Sequence, residues 1–160
     1  EITIMTLKKI PVTIALCLGV LGAQVVAADG KMYSGNECQP TYGYQSDDFL
    51  YSTGGIYNRA SEARYVTCPA IKDLVGATGG TANSYVNIYR DGSTIDAFQC
   101  WLYARNSWSS YVSSGYADTA LSGSRGLKMN APSSASNGVY YVRCRVPAYS
   151  YMRSYRIDEK

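Results

Sequence analysis

The chain has 160 residues, a formal net charge of +3, five Cys, 16 Tyr against two Phe, and no His. Without His it cannot supply a Ser-His-Asp triad, a Cys-His dyad or an HExxH zinc site, which excludes the commonest catalytic devices. A chain of this length is expected to form one domain, and we expect it to hold no metal and no cofactor.

The first 28 residues have the pattern of an export signal. Lys8 and Lys9 form a positive segment, an apolar stretch follows over 10–21, and small residues end at Ala28. This order is typical of a signal peptide. We therefore predict cleavage after Ala28.

A normal signal peptide begins with Met, so Met5 is the expected start and residues 1–4 lie upstream of it. The alternative is an uncleaved membrane anchor over 10–28. That stretch is short of the roughly 20 mainly apolar residues that span a bilayer. The sequence therefore predicts a secreted, periplasmic or cell-surface protein with one domain over 29–160 and no membrane span after cleavage.

The predicted mature chain carries about two net positive charges, with both signs interspersed. No basic stripe runs along it, so we expect no nucleic-acid partner.

Beyond the signal, β-branched and aromatic residues alternate with period two, which predicts strands rather than helices. The eight predicted strands lie near 54–59, 63–68, 84–90, 96–105, 108–113, 124–130, 138–146 and 148–157. Turns are predicted at 79–80, 91–93, 113–115 and 132–138, with a short helical turn near 70–76. Short strands separated by turns at these intervals favour an all-β, disulfide-stabilised antiparallel β-sandwich of jelly-roll or Ig-like type.

Four Cys remain once Cys17 leaves with the signal, which in an exported chain indicates two disulfides. Three connectivities are possible. Strand alternation places Cys100 and Cys144 with the apolar residues of their strands, so we favour Cys100 with Cys144 and Cys38 with Cys68. Both bridges are expected to be structural.

Several motifs resemble those of a group of small secreted bacterial proteins with a signal peptide and a four-Cys, Tyr-rich β pattern. They are Cys38-Gln39-Pro40, Val66-Thr67-Cys68-Pro69, Asp91-Gly92-Ser93, Cys100-Trp101-Leu102-Tyr103 and the segment from Tyr140 to Pro147. The motifs are structural, so the resemblance implies a disulfide-linked secreted β-sandwich and no activity.

Carboxylates are the natural acids and bases of a chain without His. The candidates are Asp47, Asp48, Asp73, Asp91, Asp96 and Asp118. We interpret them as turn and cap residues and assign no catalytic residue, while a small secreted glycosidase, which needs two facing carboxyls, stays an alternative.

Outward strand positions carry rows of aromatic, Arg and amide side chains. The candidate binding residues are Tyr85, Tyr89, Trp101, Tyr103, Arg105, Tyr149, Tyr151, Arg153 and Tyr155. Rings with a polar edge, next to Arg, suit a sugar platform or a protein contact surface. Ordinary packing on a pleated sheet is the alternative reading of the same rows.

We therefore expect a secreted non-catalytic structural or adhesive module, with self-association into a fibre, matrix or surface layer as one form. The alternative is a glycan- or protein-binding module that uses the Tyr and Trp surface.

Overall fold

The computed structural model of the protein describes residues 30–70, 82–105, 111–131 and 139–159. These residues form eleven β-strands and two short 3-10 helices, Gly35–Glu37 and Gly43–Asp48. The strands are β1 (Gly30–Ser34), β2 (Gln39–Pro40), β3 (Phe49–Ser52), β4 (Gly55–Asn58), β5 (Arg64–Ala70), β6 (Ala82–Arg90), β7 (Phe98–Arg105), β8 (Tyr111–Thr119), β9 (Gly123–Ala131), β10 (Val139–Val146) and β11 (Tyr151–Glu159).

The strands form two antiparallel sheets. Sheet one has the order β3-β4-β11-β6-β9, and β1 pairs with β11 further along the same strand than β4 does. Sheet two has the order β2-β5-β10-β7-β8. The predicted antiparallel β-sandwich is confirmed, with eleven strands in the described residues rather than eight.

The eight predicted strands correspond to β4 to β11, and β1, β2 and β3 were missed. These three have five, two and four residues, too few for an alternating pattern to stand out. The predicted turn at 91–93 is confirmed, since the Ser93 amide donates to Asp91 Oδ1 at 2.7 Å. The signal peptide, the turns at 79–80 and 132–138, and most of the helical turn near 70–76 lie outside the described residues.

The predicted turn at 113–115 is wrong, because these residues lie inside β8. Gly115 is buried where β8 meets β9, and a Cβ there would collide with the backbone carbonyl of Asn130. The small residue permits this close approach between the two sheets, so it does not mark a turn.

The predicted alternation of β7 and β10 is confirmed. Along both strands every second side chain is buried, and those between them are half-buried or exposed on the outer side of the sheet. The buried residues of both sheets form one hydrophobic core that includes Phe98, Leu102, Val142, Ile88 and Met152.

Both favoured disulfides are present. Cys100 and Cys144 are direct cross-strand partners in β7 and β10, and Cys38, just before β2, is bonded to Cys68 in β5. All four are fully buried. Both bridges thus lie beneath the outer face of sheet two.

The last strand changes phase at a β-bulge. Met152 pairs with Ile88 and Ser154 pairs with Asn87, which leaves Arg153 as the extra residue. A bulge of one residue moves every later side chain to the opposite face. Tyr155 is therefore fully buried and not on the outer surface, contrary to its predicted place in the contact row.

Candidate functional site: the outer face of sheet two

The predicted binding residues do not form one surface. Trp101, Tyr103 and Arg105 lie on the outer face of sheet two, and four others lie on the outer face of sheet one: Tyr85, Tyr89, Tyr151 and Arg153. Tyr149 precedes β11 and has a φ of 54°, in the left-handed region, at the end of the sandwich. The interior position of Tyr155 removes it from the candidate set.

Tyr155 instead joins the two sheets. Its hydroxyl donates to the carbonyl of Pro69 in β5, and its ring stacks on Tyr33 at 4.9 Å. Burial raises the pKa of this hydroxyl well above its usual range. Tyr155 is a core residue whose one polar group is satisfied across the sandwich.

Aromatic rings meet on the outer face of sheet two. Trp101 lies 5.4 Å from Tyr116 and 6.4 Å from Tyr65, measured between ring centroids. Tyr103 stacks on Tyr141 at 4.8 Å with the ring planes 13° apart. We call this set, with Tyr42, Arg105 and Arg143, the sheet-two face.

A polar chain fixes one side of the sheet-two face. Gln99 Nε2 donates to the Tyr116 hydroxyl at 3.0 Å, and that hydroxyl donates to Asp118 at 2.9 Å. Partial burial, and then the bond to Asp118, raise the pKa of Tyr116. The ring next to Trp101 is thereby held in one orientation.

Arg143 lies at the centre of the sheet-two face. Its guanidinium carbon is 4.7 Å from the ring centroid of Tyr65 and 5.7 Å from that of Tyr42, and Nη2 donates to the Tyr42 hydroxyl at 3.0 Å. Among the described residues no carboxylate pairs with Arg143, and its Nε is buried without an acceptor. The cation is positioned by rings instead of by an acid.

Arg105 approaches from the other end of the face. Its Nε donates to the Tyr141 hydroxyl at 3.0 Å, and its guanidinium carbon lies 5.4 Å from the Tyr141 centroid. The Tyr141 ring therefore contacts both Arg105 and Tyr103.

Three adjoining cavities follow this surface. One of about 150 Å³ is lined by Tyr65, Trp101, Tyr103 and Arg143. The next, of about 330 Å³, is lined by Thr41, Thr67, Arg105, Tyr141 and Arg143. The third, of about 620 Å³, shares Thr41, Thr67 and Tyr141 with the second and extends along β2 and β5. We call the three together the trough.

Four of the six candidate carboxylates are engaged in local structure. Asp48 bonds to Arg64, Asp96 pairs with Arg145 at 2.9 Å, and Asp118 accepts from Tyr116. The Ser93 amide holds the pKa of Asp91 below its usual range. Asp73 lies outside the described residues. In the described part of the chain no three His, Cys, Asp or Glu side chains form a cluster fit for a metal.

The outer face of sheet one carries a second aromatic row. Tyr57, Tyr151 and Tyr89 are cross-strand neighbours on β4, β11 and β6, with centroids 4.4 and 6.3 Å apart. Leu50 on β3 extends the row and is 47% exposed. We call this set, with Tyr85, Lys128 and Arg153, the sheet-one face.

Cations on the sheet-one face also lie on rings. Arg153 is 5.5 Å from the Tyr89 centroid and donates to Ser124 Oγ at 3.1 Å, while Lys128 is 5.6 Å from the Tyr85 centroid. Both faces thus combine tyrosine with positive charge.

Sequence reasoning missed five residues of the sheet-two face, which are Tyr42, Tyr65, Tyr116, Tyr141 and Arg143. Tyr141 and Arg143 alternate with the inward Val142 and Cys144, so the alternation used for Trp101 was sufficient to find them. Tyr65 precedes the buried Val66 and shows the same signal. Tyr42 lies in a connection next to a 3-10 helix, where period two gives no guidance.

No protein-family model matches the chain, and no curated protein matches it in sequence. A solved structure that is similar to the chain is the K1 cleaved adhesin domain of Lys-gingipain from Porphyromonas gingivalis, with 12% sequence identity and a TM-score of 0.35. The match covers 82% of this chain and 95% of that chain. In the described residues no helix is long and apolar enough to cross a membrane.

Proposed function

We propose that the protein is a secreted, non-catalytic adhesive module that binds a glycan in the trough of the sheet-two face. The observation that carries the proposal is the trough itself, bordered by Trp101, Tyr65 and Tyr103 and floored by β5, β10 and β7. Flat rings with polar edges contact the apolar faces of sugars, while the Arg and Thr side chains offer hydrogen bonds to hydroxyls.

The floor of the trough supports the same proposal. The Cys100–Cys144 bridge joins β7 to β10 directly beneath Trp101 and Arg143. A platform that does not rearrange loses less entropy when a ligand binds. Structural disulfides are also typical of exported proteins, which supports secretion.

Two facts support a non-catalytic role. The chain has no His, and Asp48, Asp96 and Asp118 are each bonded to a neighbouring side chain. The described side chains that line the two cavities at Arg143 carry rings, hydroxyls and guanidinium groups, a set suited to binding and not to proton transfer at neutral pH.

A matched pair of variants tests the glycan proposal. Trp101→Ala removes a ring of the trough, and Tyr151→Ala removes a ring of the sheet-one face. On a panel of soluble polysaccharides, followed by affinity electrophoresis and calorimetry, we expect Trp101→Ala to weaken binding at least about tenfold, about 1.4 kcal/mol. Tyr151→Ala is expected to bind as the wild type does.

A folded, monodisperse wild-type protein that binds no glycan on the panel contradicts the proposal. Equal weakening by both variants contradicts the assignment to sheet two.

Self-association is the second candidate function, and the row on the sheet-one face favours it. Leu50 is exposed on the edge strand β3, and Tyr89 continues the row with 37% exposure. Exposed apolar side chains next to an open sheet edge are a common basis for contact between copies.

Sedimentation velocity across a concentration series tests this candidate. Leu50→Lys is expected to return any oligomer to the monomer, while Leu121→Lys, at a second exposed leucine outside the row, leaves the distribution unchanged. A wild-type protein that stays monomeric at the highest concentration rules the candidate out.

A further inference from the structure

We infer that the trough is specific for acidic glycans and that Arg143 and Arg105 receive a carboxylate of the sugar chain, as in a uronate-containing polysaccharide. This inference rests on the proposed glycan-binding function and names the class of glycan. It starts from the cavity of about 330 Å³ that both arginines line.

The described side chains that line this cavity are positively charged or neutral. Beside the two guanidinium groups, its lining supplies the hydroxyls of Thr41, Thr67 and Tyr141, and no carboxylate is among the described residues that line it. Thr41 and Thr67 are already hydrogen-bonded to each other at 2.8 Å, which fixes that wall. Two cations and three hydroxyls around one space match an anionic oxygen group.

Other arginines of the same sheet show the contrast. Arg145, two residues after Arg143 on β10, pairs with Asp96, and Arg64 on β5 pairs with Asp48 and Glu62. Arg143 lies between two tyrosine rings and has no such partner in the described part of the chain. A guanidinium that lies against rings, and not against a carboxylate, retains N–H groups that can donate to the carboxylate of a ligand.

The adjoining cavity of about 150 Å³ favours a glycan over an acidic peptide as the ligand. Arg143 also lines the space bordered by Trp101, Tyr65 and Tyr103, so an acid bound to the arginine lies next to aromatic rings. A uronate chain places a sugar ring beside each carboxylate. The trough continues along β2 and β5, which provides room for further sugars of a polymer.

The test compares two ligands that differ at the carboxyl group, which is ionised in one and a neutral methyl ester in the other. A galacturonate oligomer and its fully methyl-esterified counterpart are titrated into the intact protein by calorimetry. We expect the acid form to bind at least about tenfold more tightly at low salt. This preference is expected to shrink as NaCl rises from about 0.02 to about 0.3 M, because salt screens exposed charges.

Three variants locate the effect. Arg143→Gln is expected to weaken binding of the acid form about tenfold and that of the methyl ester by a clearly smaller factor, because the glutamine amide can still donate to hydroxyls. Arg143→Lys keeps the charge but lacks the planar guanidinium. Its affinity for the acid form is expected to lie between those of the wild type and Arg143→Gln. Arg153→Gln, the same charge change on the sheet-one face, is the matched control and is expected to bind both ligands as the wild type does. Thermal unfolding of each variant verifies that it is folded.

The outcomes separate the two proposals. Equal affinity for the acid and the ester, with loss of both in Trp101→Ala, overturns the acidic specificity and leaves the glycan function standing. Binding of polyglutamate as tight as that of galacturonate and insensitive to Trp101→Ala overturns both in favour of an acidic peptide. Absence of binding to galacturonate, alginate and heparin overturns the acidic specificity, and the neutral members of the panel then decide the glycan function.

Discussion

The sheet-two face and the sheet-one face are built from the same kinds of side chain, yet only the sheet-two face has the trough as its centre. On sheet two, the chain at Thr41 and Tyr42 runs along the edge of β5 and forms a wall beside Arg143. On sheet one, Tyr57, Tyr151 and Tyr89 are successive cross-strand neighbours and fill one row. Alternation sets which rings face outward, whereas an added segment at the edge of a sheet creates depth.

The two faces also differ in what lies under them. Both disulfides lie beneath the sheet-two face, while the central strand β11 of sheet one contains the bulge at Arg153. We therefore expect the sheet-two face to be the more rigid of the two.

Removal of the Cys100–Cys144 bridge is expected to affect sheet two most. The bridge spans 44 residues, and the chain-entropy model assigns such a loop about 4 kcal/mol of stability. The double variant Cys100→Ala with Cys144→Ala should lose about that much in urea unfolding. Amide exchange should accelerate more in β7 and β10 than in β6 and β11.

A larger acceleration of exchange in β6 and β11 than in β7 and β10, when the variant is compared with the wild type, contradicts the view that the bridge stiffens sheet two. A loss below about 1 kcal/mol would show that packing, and not the bridge, holds these strands.

The contact between the sheets at β8 and β9 is tested by Gly115→Ala. The added Cβ meets the backbone of Asn130, so a strand has to shift, and we expect a loss of roughly 2 to 3 kcal/mol in urea unfolding. Gly126→Ala on β9 is the matched control, because its nearest neighbour would be Asn87 Oδ1 at 3.8 Å. The control should change stability by less than about 0.5 kcal/mol. Equal effects at both glycines contradict the close approach.

Tyr155→Phe tests the phase change in β11. Loss of the hydroxyl that bonds to Pro69 is expected to cost about 1 kcal/mol at pH 7. Tyr85→Phe, on the outer face of the same sheet, should leave the unfolding midpoint unchanged. An unchanged midpoint in Tyr155→Phe contradicts the interior position of this hydroxyl.

The same residue predicts a pH dependence. Burial raises the pKa of Tyr155 above the ordinary value of 10.0, so the unfolded chain loses this proton first. The stability that the protonated hydroxyl contributes is complete below pH 10 and falls as the pH rises above it. Urea unfolding between pH 8 and 11 should show this decline, with a smaller slope in Tyr155→Phe. Identical slopes contradict the assignment.

The sequence was sufficient to predict the β-sandwich because apolar and polar residues alternate regularly along its long strands. Cys100 and Cys144 were predicted to point inward from their neighbours alone, and their pairing followed from that. Tyr155 was assigned to the wrong face because a one-residue bulge leaves no signal in a pattern of Tyr, Arg and Ser. Without the bulge, the alternation of β11 would place Tyr155 on the outer face.

The candidate site was predictable only in part. Trp101, Tyr103 and Arg105 were found by alternation, but their proximity to Arg143 and Tyr65 depends on the order β5-β10-β7. That order is a long-range property that local patterns do not contain. Tyr42 completes the wall from the connection between β2 and β3, and its place could be recognised only in the structure.

A two-dimensional NMR titration of labelled protein with the galacturonate oligomer tests directly which face binds the glycan. We expect shifts of the Trp101 indole N–H, the Arg143 side-chain N–H and the amides of β5, β7 and β10, with the amides of Tyr85, Tyr89 and Tyr151 unchanged. Shifts confined to the sheet-one face, or shared equally by both faces, would contradict it.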